Sequence, residues 1–387
     1  MLTFGSARSK VAIVATIAAQ VLSGCRDYPE PKLSNDLERQ GQAIFRDDTF
    51  GDEQFWTDTA GLHLVVNDEL QPLEALSLGL KVDLDRLNLL QFILHNPLST
   101  SGTRELLRQN AVVGVKATFD GEGRVARIGI TCAFCHSTVD NALLPGIGHR
   151  MDGWPNRTLD VGKIMAKLRP FTPRQKAALR DWPAGTYDPR FNFDGNSTPL
   201  VLPPAYGLAA VKNETYTAEG PISYWNNYVA VTQMHGHGNF SDARLGVNIF
   251  QQPDMVTSKL PALRAYQHVL QAPRRPLPFY QRSAAGRGKI VFDANCASCH
   301  VSGNLTDNNN GVLHAPSETG MDSTYAARTT QKKYRTTPLR GLWQHPPYFH
   351  DGSAETLGDV VNHYARVRSL PLSQKEKSDL VKYLKTL

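Results

Sequence analysis

Cys132-Ala133-Phe134-Cys135-His136 and Cys296-Ala297-Ser298-Cys299-His300 are two copies of one pentapeptide, and they set what this chain can be. Cys-x-x-Cys-His is the attachment signature of c-type haem. The two thiols form thioethers to the porphyrin and the His becomes the proximal iron ligand. One helical turn is enough to bring both sulfurs and the imidazole to one porphyrin. A redox dithiol or half a zinc site is the alternative for a lone Cys-x-x-Cys, but zinc and disulfide frameworks use other spacings. Both copies carry the His, and only Cys25 remains outside them. The expectation is two covalently bound haem c groups and no structural disulfide.

Outward from the second copy, the chain reads as one unit over 281–387. Gly288-Lys289-Ile290-Val291-Phe292 runs into Cys296 and resembles the first helix of class I cytochrome c domains. The Gly permits close helix packing and the aromatic lies against the haem. Ser373-Gln374-Lys375-Glu376 has the capping-box pattern, and Leu380, Leu384 and Leu387 mark one face of a closing helix. The Asn-rich stretch from Asn304 to Gly311 reads as a solvated loop. Upstream, the Pro-rich residues 271–280 read as a linker.

Around the first copy the same scheme is stretched. Gly41-x-x-x-Phe45 repeats the Gly288-x-x-x-Phe292 pattern, but the next Cys is 87 residues beyond Phe45 instead of four beyond Phe292. The insertion shows helical patterning over Leu70–Leu94. Next comes a hairpin pattern: Val112–Thr118, a turn at Asp120–Gly123, and Val125–Ile130 leading into Cys132. A further irregular stretch spans Pro183–Pro204. The fold expected is mostly α. It has two class I cytochrome c-like domains, at 36–270 and 281–387, the first with a large insertion and a β-hairpin.

The start of the chain reads as an export signal. Arg8 and Lys10 precede the apolar run Val11–Ala19, which is too short to span a membrane. Leu22-Ser23-Gly24-Cys25 resembles the lipobox of bacterial lipoproteins, which makes Cys25 the acylated N-terminus, 25–35 a tether and a membrane the anchor. The expected location is the periplasmic side of a bacterial membrane, where c-type haem is attached. Removing residues 1–24 lowers the formal charge from +6 to +4, and haem propionates offset the remainder. Nothing in this balance points to nucleic acid.

Several motifs together resemble the bacterial dihaem cytochrome c peroxidase superfamily, which includes the quinone-cofactor-maturing dihaem enzyme and the rubber oxygenases. They are Gly41-x-x-x-Phe45-Arg46-Asp47, Leu144-Pro145-Gly146-Ile147-Gly148-His149, Ser223-Tyr224-Trp225, Pro338-Leu339-Arg340 and Pro347-Tyr348-Phe349-His350-Asp351-Gly352. The resemblance implies that His136 and His300 are proximal ligands and His149 is a displaceable group at the first iron. It makes Trp225 an electron relay between haems, with Arg340 and His350 beside the second haem. It implies Tyr364 as the second distal ligand where the peroxidases usually have Met, with His363 and Met321 as alternatives. It also implies a Ca²⁺ between domains, with Asn156 nearest the matching Asn. The acid/base Glu of the peroxidases would fall near Leu245, and no Glu lies between Glu219 and Glu318. His235 and His237 are the candidates in its place.

The function implied is a dihaem oxidoreductase in which electrons pass from the C-terminal haem to a reactive N-terminal haem. The substrate would be peroxide or O₂, and the donor a small redox protein such as a cytochrome, a cupredoxin or a quinol-linked protein. A dihaem electron carrier without its own substrate, and an oxygenase of the rubber-cleaving type, are the competing expectations.

Overall fold

The computed structural model describes residues 30–273 and 282–387. The signal segment, Cys25, the first part of the tether and most of the linker lie outside the described residues. In chain order the elements that position the site are α1 (Asp36–Asp47), α2 (Leu62–Asp68), α3 (Thr100–Arg108), β1 (Val115–Phe119), β2 (Val125–Ile130) and α4 (Ala133–His136). They continue with α5 (Ile222–Thr232), α6 (Leu260–Val269), α7 (Arg282–Asn295), α8 (Leu357–Val367) and α9 (Gln374–Leu384). Helix predominates, and every sheet has two strands. Among the described residues no helix is long and apolar enough to cross a membrane.

Two helix crossings, one in each half, are built the same way. Asn35 caps α1 by accepting the Glu38 N–H at 2.9 Å, satisfying a donor that the first turn leaves free. Gly41 lies where α1 meets α6, and a Cβ there would collide with the Ala262 carbonyl. Phe45, four residues on, is fully buried with its ring edge-on to Tyr266, centroids 5.5 Å apart. In the C-terminal half Gly288 lies where α7 meets α9, and a Cβ there would collide with the Asp379 carbonyl. Phe292 is buried against Tyr383, and its ring centre lies 6.1 Å from that of His300. Ser373 and Glu376 form the expected capping box on α9. Gly288→Ala therefore forces two backbones apart, and we expect a loss of about 3 kcal/mol in denaturant unfolding.

The long insertion carries its own core, in which Trp56, Val66, Leu106, Leu107, Val112 and Ile128 are buried. The helical patterning over Leu70–Leu94 resolves into short helices, Pro72–Ser77 and Leu89–Leu94, separated by a two-residue strand, Val82–Asp83. The hairpin forms as β1 and β2, antiparallel, with an irregular register at Thr118/Phe119. Its exit is tied down by Asp52, which is fully buried and accepts the Ile130 N–H at 3.2 Å. Burial, with the neighbouring Glu53 charge adding to it, pushes this carboxyl up to about 9. An unfolded Asp titrates near ~3.9. The folded chain therefore binds the extra proton between those values, and stability should fall as pH rises from about 4 to about 9. Asp52→Asn keeps an acceptor for Ile130 but removes the titration, so it should flatten that slope in unfolding followed across pH.

The Asn-rich loop is not free in solvent. Asn304 and Asn309 each donate to the Ala210 carbonyl, at 2.9 and 2.8 Å, and Asn308 is buried. That dock ties the C-terminal half to the irregular chain around residues 200–217.

Candidate functional site

Each haem-attachment motif is a single helical turn. In the first, β2 ends at Ile130 and the His136 N–H donates to the Cys132 carbonyl at 3.1 Å. Gly114, at φ +73°, allows the hairpin to close on the motif, since a Cβ there would overlap the Phe134 backbone. In the second, α7 continues into the motif: Cys296 N–H donates to Phe292 O at 2.8 Å and His300 N–H to Cys296 O at 3.0 Å. All four cysteines are free thiols.

The two imidazoles are oriented alike. His136 Nδ1 lies 3.1 Å from the Pro203 carbonyl and His300 Nδ1 lies 3.0 Å from the Leu305 carbonyl. A carbonyl can only accept, so Nδ1 carries the proton and Nε2 keeps its lone pair for a metal. Burial keeps both rings neutral, pushing His136 down to about 4 and His300 down as well.

Each motif opens onto its own cavity. The first, of about 420 Å³, is lined by Cys132, Cys135 and His136 together with apolar side chains such as Leu62, Val66, Leu106, Ile164 and Val229. The second, of about 290 Å³, is lined by Cys296, Cys299 and His300. Both volumes are those of small-molecule or cofactor sites. Pro203, Pro204, Leu208, Glu214 and Tyr216 border both cavities, so the irregular chain after Pro183 forms the wall between them.

The predicted residues distribute unevenly over these cavities. His235 lines the first, stacked on Phe55 with centroids 3.6 Å apart, and desolvation pushes it down to about 4. The glycines beside it serve packing rather than looseness, because Cβ atoms on Gly236 and Gly238 would crowd Phe50 and Val256. His237 instead faces the Pro253 carbonyl, with Nδ1 2.7 Å from it.

His149 is not brought to the first cavity. Its N–H donates to Asp140 and its Nδ1 pairs with Asp85 at 2.9 Å, and it does not line the cavity. Trp225 lines the first cavity but not the second, and packs on Tyr228 at 5.1 Å. The tryptophan at the seam between the halves is Trp154, edge-on to Trp343 at 6.2 Å and to Tyr206 at 6.4 Å. The Asn156 amide donates to the Gly79 carbonyl at 2.9 Å and accepts from Thr158.

At the second cavity α8 separates the neighbouring candidates. Tyr364 lines the cavity, and burial followed by the Cys299 and Cys296 thiols pushes its phenol up to about 12. His363 points elsewhere and donates from Nε2 to the Thr319 carbonyl at 2.8 Å. Met321 also lines the cavity. His350 is buried at its edge, with Nε2 3.0 Å from the Tyr334 hydroxyl. Arg340 lines the cavity too, but its terminal nitrogens already donate to the Gly207 carbonyl and to Asn304.

Three functional candidates were not visible in the sequence. Glu214 borders both cavities with its Oε2 buried and unpartnered, while Leu245, where a Glu was expected, lines neither. Arg157 and Arg335 line the second cavity, and each has buried guanidinium nitrogen without a partner. No local pattern marks these positions, because only the folded wall brings them together. The free thiol pairs, the Nε2 lone pairs, the two cavities and the unpaired guanidinium nitrogens all fit covalently bound haem c with its propionates.

Comparison with known proteins agrees with this geometry. The cytochrome c family matches residues 285–387. The methylamine utilization protein MauG of Methylophilus methylotrophus is 32% identical over 122 residues, a match spanning 27% of this chain and 36% of that protein. MauG of Methylorubrum extorquens is 29% identical over 307 residues, covering 73% of this chain and 79% of that protein. A solved structure described as a MauG-like protein associated with microbial copper homeostasis is 21% identical over 35% of this chain and 58% of its own, with a TM-score of 0.28. An alignment over 73% of the chain necessarily reaches far upstream of residue 285 and takes in the first motif. The MauG relatives and the cytochrome c match support a place for this chain in the bacterial dihaem cytochrome c peroxidase superfamily of oxidoreductases.

Proposed function

We propose that this protein is a peroxidase-like dihaem oxidoreductase in which the first cavity is the reacting site and the second stores and supplies electrons. The observation that carries the proposal is the pair of motif-bearing cavities on either side of one shared wall. Haem bound there supplies an iron that exchanges single electrons and, where a coordination position is open, takes up peroxide or dioxygen.

The chain's own residues divide the work. His136 and His300 present Nε2 to a metal, held by the Pro203 and Leu305 carbonyls. His235, neutral at pH 7, faces the first cavity and accepts a proton on its ring nitrogen; Glu214 is the other proton-handling group there. Tyr364 is the distal group of the second site, with Met321 its rival. Electrons cross between the sites through the wall over residues 200–217. Each half is a cytochrome c-like domain, with divisions at 36–270 and 281–387. The haem chemistry supports export, with residues 1–24 as leader and Cys25 as a lipid anchor on the periplasmic side of a membrane. A small redox protein is the donor.

The apolar lining of the first cavity favours a second reading, an oxygenase acting on an apolar substrate. Optical and magnetic-resonance spectra of half-reduced protein, before and after peroxide, test the main proposal. We expect high-spin iron at one site and its conversion by peroxide. Two low-spin haems that ignore both peroxide and O₂ would identify an electron carrier instead.

A further inference from the structure

Arg157 belongs to the first half of the chain yet opens into the cavity of the second. Its backbone is anchored at the first motif, because the adjacent Asn156 N–H donates to the Cys135 carbonyl at 2.9 Å. Gly185, at φ +75°, lets the chain close over the Arg157 backbone, where a Cβ would crowd it. The side chain then reaches the second cavity, where Nε and Nη1 are buried with no hydrogen-bond partner.

Among the described residues the groups that interact electrostatically with Arg157 are Tyr216, Tyr206, Tyr348, His345 and His136, and none of them is a carboxylate. A buried guanidinium without a counter-ion is costly. Other arginines of this cavity differ: Arg340 donates to Gly207 and Asn304, and Arg335 donates to the Thr215 and Glu214 carbonyls. Arg157 faces the cavity without a hydrogen-bond acceptor for Nε and Nη1 among the described residues. Its planar fork suits a carboxylate.

We propose that Arg157 is a cross-domain carboxylate-binding residue that holds a propionate of the porphyrin attached at Cys296 and Cys299. The proposal rests on the reading that the second motif carries haem. It makes the first half of the chain supply part of the second haem's site, and places one positive charge between the second porphyrin and His136. Arg157 is a positioning residue, because it touches the porphyrin's periphery and no reacting atom.

The test uses full-length holoprotein with Arg157→Met, which removes the charge and keeps the buried stem, and Arg157→Lys, which keeps the charge. Haem per chain is read by intact mass, and the midpoint potential of each haem by spectroelectrochemistry. Removing a positive charge beside a haem favours the ferric state, so Arg157→Met should lower the second haem's potential and Arg157→Lys should restore most of it. Loss of the second haem from Arg157→Met alone, with both kept in Arg157→Lys, would equally support the proposal. An unchanged second potential with both haems present overturns it, as does equal loss of haem or of fold in both variants. A parent protein carrying no haem at Cys296 and Cys299 would instead reject the reading beneath it.

Discussion

Replacing Cys132 and Cys135 together by alanine is expected to leave a protein with one covalent haem and to reduce reaction with peroxide by at least about a hundredfold, about 2.7 kcal/mol of transition-state stabilisation. The thioethers would hold a porphyrin beside His136, whose Nε2 would be free to bind its iron, and His136 itself is held by Pro203. Without them neither the cavity nor His235 has anything to act on. The matching pair Cys296→Ala and Cys299→Ala should behave differently. That protein should still show the spectral response to peroxide but lose sustained turnover, because supplying electrons is the role proposed for the second site. Intact mass counts the haems, and stopped-flow spectra with steady-state assays separate the two losses. If the second pair of substitutions abolished the peroxide response and the first did not, the assignment of the reacting site would be reversed.

Tyr364→Phe is expected to have the second largest effect. The ring stays in its half-buried place on α8, but the oxygen that could bind iron is gone. A phenolate favours ferric iron, so its loss should raise the second haem's potential by on the order of 100 mV, within the range of about 0.8 V that axial ligands span. The ferric spectrum of that haem should also shift toward high spin. Met321→Leu is the control, since Met321 lines the same cavity. A spectrum altered by Met321→Leu and untouched by Tyr364→Phe would transfer the ligand role to the methionine.

Legibility in the sequence followed the range of the interaction. The hairpin over Val115–Ile130, the capping box at Ser373 and the paired Gly-x-x-x-Phe helices were readable because each depends on residues a few positions apart. The division between Tyr364 and His363 was readable for the same reason: adjacent helical residues diverge by about 100°. The pairing of His149 with Asp85 was not readable, because Asp85 lies in the insertion, 64 residues earlier. Trp154 carries no local signature of its place, because a seam cannot be recognised before both of its sides exist. The Asn-rich loop looked solvated from its composition, yet the Ala210 carbonyl, 94 residues before Asn304, takes up its amides.

By itself the sequence determined the covalent chemistry: two thiol pairs with adjacent imidazoles at haem spacing, and the helices that carry them. Those features are local, enforced by a single helical turn and by close packing at glycine. Only the tertiary structure decided what surrounds each haem site. It folds residues 200–217 into a shared wall, buries Glu214 against both cavities and carries Arg157 from one half into the other. The reason is physical. Burial and the lack of a partner are properties of a side chain's surroundings, and those surroundings come from segments more than a hundred residues apart.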